Sequence, residues 1–135
     1  MISQSLQDSI HRFIYAPGQL RSEWLGDDVM SIYMRRSRRA LTVNGEMKMW
    51  EAIDFATIDV DPDHRGKGLF TQTVDHLLKV NPLPVLYVEN AAEFLLPCLA
   101  RRGFIPHLTL LGISSSMYHV TAINTGCDTK TSSPN

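Results

Sequence analysis

The chain has few cysteines and no long hydrophobic run. Its two cysteines are Cys98 and Cys127, too few for a disulfide framework and without the spacing of a metal site. No apolar stretch approaches the roughly 20 residues that span a bilayer. The N-terminus lacks the basic and apolar segments of a signal peptide. We therefore expect a cytoplasmic protein with no membrane partner and no bound metal.

The chain also lacks a strong charge of either sign. Its formal net charge is −1, from 13 Lys and Arg against 14 Asp and Glu. General binding to nucleic acid needs an excess of positive charge, so we expect no nucleic-acid partner. The hydrophobic fraction of 44% fits one globular domain, predicted over residues 1–123. Residues 124–135 are rich in Ser, Thr and Asn and are predicted to form a flexible tail.

The most informative segment is a glycine-containing loop between a predicted strand and a predicted helix, within residues 58–71. Gly66 and Gly68 allow backbone N–H groups to approach a ligand, because a side chain at either position would keep the ligand away. The N-terminus of the following helix carries a partial positive charge, and Arg65 and Lys67 add formal charge beside it. The segment therefore predicts a pocket for a phosphate or a pyrophosphate.

The spacing of the two glycines distinguishes three kinds of phosphate site. A Walker A loop needs four residues between its glycines, whereas one residue separates Gly66 from Gly68. A dinucleotide fingerprint needs a third glycine where this chain has Thr71. The remaining pattern is the run RGKGLF over residues 65–70. It resembles the acyl-CoA pyrophosphate loop of the GNAT N-acetyltransferase superfamily, as found in small phage and bacterial enzymes, with Phe70 in place of the usual Gly or Ala.

The elements that follow the loop extend this resemblance. A helical stripe predicts a helix from the loop to about Val80, and the run from Pro84 to Val88 predicts a buried strand parallel to the one before the loop. A helix over 91–102 and the pair Gly103-Phe104 come next. The resemblance covers roughly residues 46–104. It implies an α/β (α+β) fold with a central mixed, mostly antiparallel sheet and helices on both faces.

The other elements are predicted from periodicity and turn residues. Asn44-Gly45 is typical of a type I′ hairpin turn, and the strand after it is long enough to predict a bulge. GNAT proteins usually open with a strand, and none is predicted before the first helix here. The predicted elements are a helix with a capping box at Ser5 to Asp8 and a stop at Pro17-Gly18, a second short helix over 19–25, strands over 29–36, 40–43 and 46–60, and a last hairpin over 104–111 and 116–121.

The resemblance implies how acetyl-CoA would bind as the acyl donor. Its pantetheine arm would pair with the strand before the loop, where a backbone N–H would hold the thioester carbonyl. Asn90 would either hydrogen-bond the pantetheine or cap the next helix. Helical spacing favours a core position for Phe70 over one that crowds the phosphate. The predicted acetyl-CoA contacts are Ile58, Asp59, Val60, Arg65, Gly66, Lys67, Gly68, Leu69, Phe70, Thr71 and Asn90.

Two residues, Asp54 and Cys98, are the main candidates for proton transfer. In GNAT relatives a carboxylate often lies on the long strand eleven residues before the loop motif, and this position is Asp54 here, a candidate general base. Glu51 and Glu89 are weaker candidates. A tyrosine that acts as general acid is usual where this chain has Leu99. The adjacent Cys98 is then the candidate acid, although a helical cysteine more often serves as a small hydrophobic residue.

We predict an acyl-CoA-dependent N-acyltransferase that transfers acetyl from acetyl-CoA to an amine of a small molecule or a protein. Direct attack in a ternary complex is expected, since no nucleophile is placed for a covalent intermediate. Two alternatives remain: a catalytically weak module of the same fold that binds CoA or a protein partner, and a nucleic-acid binder that uses Arg35 to Arg39. A solvated hairpin is the simpler interpretation of those arginines. A homodimer is the default expectation, and the acceptor is not predicted.

Overall fold

The computed structural model of the protein describes residues 2–16, 21–43, 45–109 and 112–120. Its strands form one six-stranded sheet in the order β1-β2-β3-β4-β6-β5. Only β3 and β4 are parallel. The elements are α1 Gln4–Tyr15, β1 Arg21–Gly26, β2 Met30–Val43, β3 Glu46–Val60, a 3-10 turn Pro62–His64, α2 Leu69–Val80, β4 Val85–Val88, a 3-10 turn Glu93–Leu95, α3 Leu96–Arg101, β5 Ile105–Thr109 and β6 Gly112–Val120.

This architecture confirms the predicted mixed, mostly antiparallel sheet flanked by helices. It also confirms α2, the parallel strand β4 and the last hairpin. Several predicted features lie outside the described residues: the stop at Pro17-Gly18, Asn44 of the hairpin turn, and the tail over 124–135 with Cys127. No helix of the described segments has both the length and the apolar character needed to cross a membrane.

The first helix begins earlier than predicted. Its N-cap is Ser3, whose Oγ accepts a hydrogen bond from the Leu6 N–H at 3.1 Å. The predicted capping box at Ser5 is therefore wrong. The same hydroxyl donates to the Asp27 carboxylate at 2.5 Å. The start of α1 is thus fixed partly by a residue 24 positions away, which the local pattern does not reveal.

The predicted short helix over 19–25 is also wrong, because Arg21–Gly26 forms the edge strand β1. It pairs antiparallel with β2 along its whole length. Leu25 is buried, whereas its neighbour Trp24 is 57% exposed, as expected where successive side chains of a strand point to opposite faces. A segment this short carries little periodicity, so the backbone hydrogen bonds to β2 decide its structure. The Asp27 carboxylate accepts two backbone N–H bonds and closes the turn between the strands.

The long strand β3 contains the predicted bulge. Tyr33 of β2 lies opposite Thr57, but the next residue, Met34, lies opposite Phe55. Ala56 is therefore an extra residue in β3. Before the bulge, the odd-numbered residues of β3 face one side of the sheet. After it, the even-numbered residues face that same side.

The two faces of the sheet are covered differently. The buried hydrophobic side chains of α1, α2 and α3 all belong to one cluster, together with Ile53 and Phe55 of β3. Among the described residues, the expected helices on both faces are therefore seen on one face only. The other face carries a second cluster contributed by strands. We call these the helix face and the strand face. The strand-face cluster consists of Leu41, Val43, Ala52, Val85, Tyr87 and Tyr118.

The strand face is covered by the far end of the β2–β3 hairpin. The Tyr118 hydroxyl donates to the Thr42 carbonyl oxygen at 2.9 Å, although β6 and β2 are three strands apart in the sheet order. In a flat sheet that separation is roughly 14 Å. The sheet must therefore curl so that the hairpin packs over its own strand face. β2 runs without interruption through residues 37–39, where the sequence predicts a break.

The last helix is shorter than the predicted 91–102. It begins at Leu96, after a 3-10 turn, and Pro97 occupies its first turn. Proline is tolerated there because the N–H groups of a first turn have no partner within the helix. Leu99, the residue that replaces the usual tyrosine, is fully buried in the core.

Candidate active site

The sheet opens between its two parallel strands. β3 and β4 pair only over Ala52–Phe55 and Val85–Val88, and the last bond runs from the Glu89 N–H to the Phe55 carbonyl at 3.1 Å. The chain after β4 turns away at Asn90, which adopts a left-handed φ of 48°. In the part of the chain that the structure describes, no strand pairs with β3 on this side beyond Phe55. A V-shaped gap results.

Backbone groups of Ile58 and Val60 point into this gap. The Asp61 N–H donates to the Val29 carbonyl at 2.8 Å, which identifies the side of β3 that faces β2. Because backbone groups alternate along a strand, those of Ile58 and Val60 face the opposite way. The Val60 carbonyl confirms this direction, since it accepts a hydrogen bond from Arg65 Nε at 3.1 Å.

The bulge makes this arrangement possible. The Phe55 carbonyl points toward β4, and Ile58 lies three residues later. Unbroken alternation would therefore turn the backbone of Ile58 toward β2. The extra residue Ala56 resets the alternation. The backbone groups of Phe55, before the bulge, and of Ile58, after it, therefore point to the same edge of β3. An extended ligand could continue the line of hydrogen bonds that β4 leaves off.

The glycine loop joins the far end of the gap to α2. Gly66 and Gly68 both have φ of 77°, a left-handed conformation that disfavours other residues. Gly68 is the N-cap of α2 and supplies no side-chain cap to its first N–H groups. Uncapped N–H groups at a helix N-terminus form an anion site. This is the geometry that the loop pattern predicts.

Two cavities follow the gap and the loop. One, of about 500 Å³, lies against the loop, and the other, of about 410 Å³, lies where β3 and β4 separate. Ile58, Phe70 and Leu95 line both cavities, so the two form one continuous groove. We call them the loop cavity and the gap cavity. Of the eleven predicted acetyl-CoA contacts, every one except Lys67 lines one of them.

Phe70 and His64 lie on either side of the glycine pair and have different surroundings. Phe70 packs against the core, with its ring centroid 5.5 Å from that of Phe55. Its predicted core position is confirmed. His64 lies at the edge of the loop cavity, and its Nδ1 is 3.1 Å from the Asp61 carboxylate.

Asn90 lines the gap cavity and does not cap a helix. The next helical turn has Ala92 at its N-cap, so the capping alternative is wrong. The Asn90 backbone N–H donates to Ser116 Oγ at 3.0 Å, which ties the end of β4 to β6. Asparagine is among the non-glycine residues that best tolerate a left-handed φ.

Asp54 is completely buried beneath two arginines. Its side chain has no exposed surface. It accepts hydrogen bonds from Ser37 Oγ at 2.8 Å and Arg39 Nη2 at 2.6 Å, and Arg35 Nε lies 3.5 Å away. Asp54 lines neither cavity. As the structure stands, a bound amine has no access to this carboxylate.

Glu89 is the carboxylate that does reach the gap cavity. It immediately follows β4, and 29% of its side chain is exposed. Arg35 Nη2 donates to it at 2.5 Å, and Arg39 Nη2 lies 3.7 Å away. The expected solvated hairpin is therefore wrong for Arg35 and Arg39, whose charges are offset by two carboxylates. The hydrogen bond that Arg35 donates to Glu89 raises the pKa of Arg35.

The other two arginines of the cluster have different surroundings. Arg36 Nη1 donates to the Ala16 carbonyl at 3.0 Å, and Arg38 is exposed. The Arg39 guanidinium also lies 4.0 Å above the Tyr87 ring. The cluster is thus divided between the interior and the surface, which a run of four arginines in five positions does not reveal.

Cys98 lines neither cavity. Its Sγ accepts a hydrogen bond from Arg102 Nη1 at 3.0 Å, and Arg102 Nε donates to Asp75 on α2 at 2.7 Å. These contacts join α3 to α2. The nearby Tyr87 hydroxyl is engaged as well, since it lies 2.6 Å from His107 Nδ1. The polar side chains around the gap cavity are those of Thr57, Glu89 and Asn90.

No protein-family model and no curated protein matches the chain. Solved structures with the GNAT fold do. AtaT complexed with acetyl-methionyl-tRNAfMet aligns with a TM-score of 0.56 and 18% identity, over 93% of this chain and 82% of that one. The KacTA–DNA complex aligns with a TM-score of 0.52 and 20% identity, over 86% and 81%.

A third structure is a mutant AtaT toxin bound to the C-terminus of the antitoxin AtaR and acetyl-CoA. It aligns with a TM-score of 0.53 and 18% identity, over 82% of this chain and 74% of that one. These similarities confirm the GNAT fold that the glycine loop and the order of the following elements predict.

Proposed function

We propose that this protein is an N-acetyltransferase that transfers acetyl from acetyl-CoA directly to an amine. The observation that carries the proposal is the continuous groove formed by the loop cavity and the gap cavity. One end has an uncapped helix N-terminus behind two left-handed glycines. The other end lies in the gap between two parallel strands. An anionic head with an extended amide-containing arm fits this sequence of features.

The donor would be held by backbone groups along most of its length. Its pyrophosphate would take the N–H groups of the loop and the first turn of α2. Arg65 lies beside this point, with its Nε hydrogen-bonded to Val60. The pantetheine amides would pair with the backbone of Ile58 and Val60, as a strand is added to the edge of a sheet. The thioester would then lie in the gap cavity.

The chemistry would rest on positioning and on stabilisation of charge. A backbone N–H at the gap would hold the thioester oxygen, which becomes negative when the amine attacks. Holding the thioester and the amine together can supply several kcal/mol of the barrier, on the order of 7–11 at best. Because Leu99 is buried and Cys98 lies between α2 and α3, we propose that the leaving thiolate takes its proton from water.

The acceptor group is an amine, and experiment can identify the molecule that bears it. The solved structures with this fold include one complexed with an acetylated aminoacyl-tRNA and one complexed with DNA. A net charge of −1 argues against general binding to nucleic acid, but not against the aminoacyl end of a tRNA. Aminoacyl-tRNA therefore belongs beside protein and small-molecule amines among the acceptors.

The proposal is tested by incubating the protein with acetyl-CoA and three acceptor classes: aminoacyl-tRNA, peptides with free amines, and the polyamine spermidine. Acetyl products are measured by mass spectrometry. We expect one class to be acetylated by the wild-type protein and not by Gly68→Glu, which places a carboxylate at the anion site. If acetyl-CoA binds but no class is acetylated, the protein is a binding module of this fold.

A further inference from the structure

We propose that Glu89, rather than Asp54, receives the proton of the attacking amine. This inference rests on the proposed function, because it assumes that a thioester lies in the gap cavity. The question is whether Asp54 or Glu89 faces the reacting atoms, since both carboxylates contact Arg35 and Arg39. Asp54 is fully buried, whereas Glu89 is partly exposed.

The gap cavity is lined by residues from both faces of the sheet. Phe55 and Val88 belong to the helix-face cluster. Thr57 and Glu89 precede or follow helix-face residues by one position and so lie toward the strand face. Since α2 packs on the helix face, the acceptor would approach from the strand face and meet Glu89 first.

Asp54 is already saturated. Three hydrogen bonds, from Ser37 Oγ, Arg39 Nε and Arg39 Nη2, occupy its two oxygens, and no part of the side chain is exposed. Moving a proton to it would break its ion pair with Arg39, which holds a carboxylate that has no exposed surface. Its role in this arrangement is to position the arginines.

Arg35 links the two carboxylates. Its Nε lies 3.5 Å from Asp54 and its Nη2 lies 2.5 Å from Glu89. The backbone of Glu89 is fixed as well, by its bond to the Phe55 carbonyl. The orientation of Glu89 is therefore set at both ends of the residue, while 29% of its side chain stays open. This is the combination a proton acceptor needs: fixed geometry and access.

The reaction balances with Glu89 in this role. The amine enters as an ammonium, and one of its protons passes to the Glu89 carboxylate, directly or through one water. The freed nitrogen lone pair attacks the thioester carbon, so that an N–C bond forms and negative charge builds on the carbonyl oxygen. The nitrogen then loses a second proton to water. The C–S bond then breaks, its electron pair leaves with sulfur, and the thiolate takes a proton from water. Glu89 returns its proton to solvent.

The test uses Glu89→Gln, which keeps the shape of the side chain and removes its charge, and two small nucleophiles. Release of CoA from acetyl-CoA is measured with ethylamine, which is protonated at neutral pH, and with hydroxylamine, which is largely neutral. We expect kcat/KM to fall about 100-fold or more for ethylamine and less than about tenfold for hydroxylamine. Loss of a merely structural group would lower both rates equally. Glu89→Asp should recover part of the ethylamine rate.

The matched control is Glu51→Gln. Glu51 is an exposed carboxylate on β3 that lines neither cavity, so the same charge is removed without effect on either rate. The acetyl-CoA Kd and thermal unfolding of each variant are measured beside the rates. Glu89→Gln should leave the acetyl-CoA Kd unchanged within error of the control, and the thermal unfolding reports the stability lost with its ion pair to Arg35.

Three outcomes would overturn the role of Glu89. One is an ethylamine rate in Glu89→Gln within about threefold of wild type. Another is an equal fall for both nucleophiles. The third is no CoA release above the uncatalysed rate by wild-type protein that binds acetyl-CoA. Failure of the proposed function itself looks different, because the wild-type protein would then not bind acetyl-CoA at all.

Discussion

Arg39 holds the buried carboxylate of Asp54 at 2.6 Å, although the two residues are not opposite each other in the sheet. The residue opposite Asp54 is Arg35, and the residue opposite Arg39 is Trp50. The Arg39 side chain therefore reaches back along β2 to cover a carboxylate four positions away, and on the way its guanidinium lies over the Tyr87 ring. This contact buries Asp54 on the strand face and leaves Glu89 as the carboxylate with exposed surface.

Removal of the Asp54 carboxylate should destabilise the protein strongly. Asp54→Ala leaves two guanidiniums without their buried partner, and breaking one side of a buried pair costs about 3–5 kcal/mol. Urea unfolding measures the change in the free energy of unfolding. Glu51→Ala removes an exposed carboxylate of the same strand and should change it by less than about 0.5 kcal/mol. Equal effects of the two substitutions would contradict the role given to Asp54.

The true start of α1 can be tested by comparing two serines. Ser3→Ala removes the hydroxyl that caps the helix and contacts Asp27, and loss of an N-cap costs about 1 kcal/mol. Ser5→Ala changes an exposed residue in the first turn. Because alanine favours the helix interior, this change should be neutral or slightly stabilising. Chemical denaturation distinguishes the two, and a larger loss for Ser5→Ala would restore the predicted capping box.

The burial of His107 predicts that the protein loses stability in mild acid. Burial lowers the pKa of His107, with a further contribution from the charge of Arg39. A histidine whose folded pKa lies below its unfolded value stabilises the fold fully above the unfolded value. That stability is lost as pH falls below about 6.5 toward the folded pKa. His107→Gln should therefore flatten the fall in unfolding free energy between about pH 7 and pH 5.

The control for this pH effect is His11→Gln. His11 is exposed on α1, so its replacement should leave the acid dependence as it is in wild type. His76 and His119 also have pKa values lowered by burial, so part of the fall should persist in His107→Gln. A fall identical to wild type would show that His107 is not held neutral by the fold.

The sequence predicts the glycine loop and the elements beside it well because their signals are local. Two glycines one residue apart, a helical stripe and a short apolar run are enough to predict the loop, α2 and β4. A family spacing also identifies Asp54 on the correct strand. What the spacing cannot predict is which neighbours reach that residue, since Arg39 comes from 15 positions away.

The misses share this cause. β1 becomes a strand through its hydrogen bonds to β2 and not through its own composition. The cover of the strand face depends on a bond between Tyr118 and Thr42, 76 positions apart. Glu89 becomes the accessible carboxylate because β4 ends there and Arg35 lies across the gap. Contacts between distant segments decide each of these features, and a single sequence does not contain them as a pattern.

The central claim is that the loop cavity and the gap cavity bind acetyl-CoA. The most direct test is thermal unfolding of wild type, Gly68→Glu and Gly45→Glu, each with and without acetyl-CoA. Gly45 is a matched control, because its φ of 80° is close to the 77° of Gly68 and a side chain there meets nothing within 4 Å. Both variants therefore carry the same added charge and similar backbone strain.

At a ligand concentration 100-fold above Kd, linkage predicts stabilisation of about 2.7 kcal/mol. We expect this stabilisation in wild type and in Gly45→Glu and its loss in Gly68→Glu. An absence of stabilisation in folded wild-type protein, or an equal gain in all three, would contradict the claim that this groove is an acetyl-CoA site.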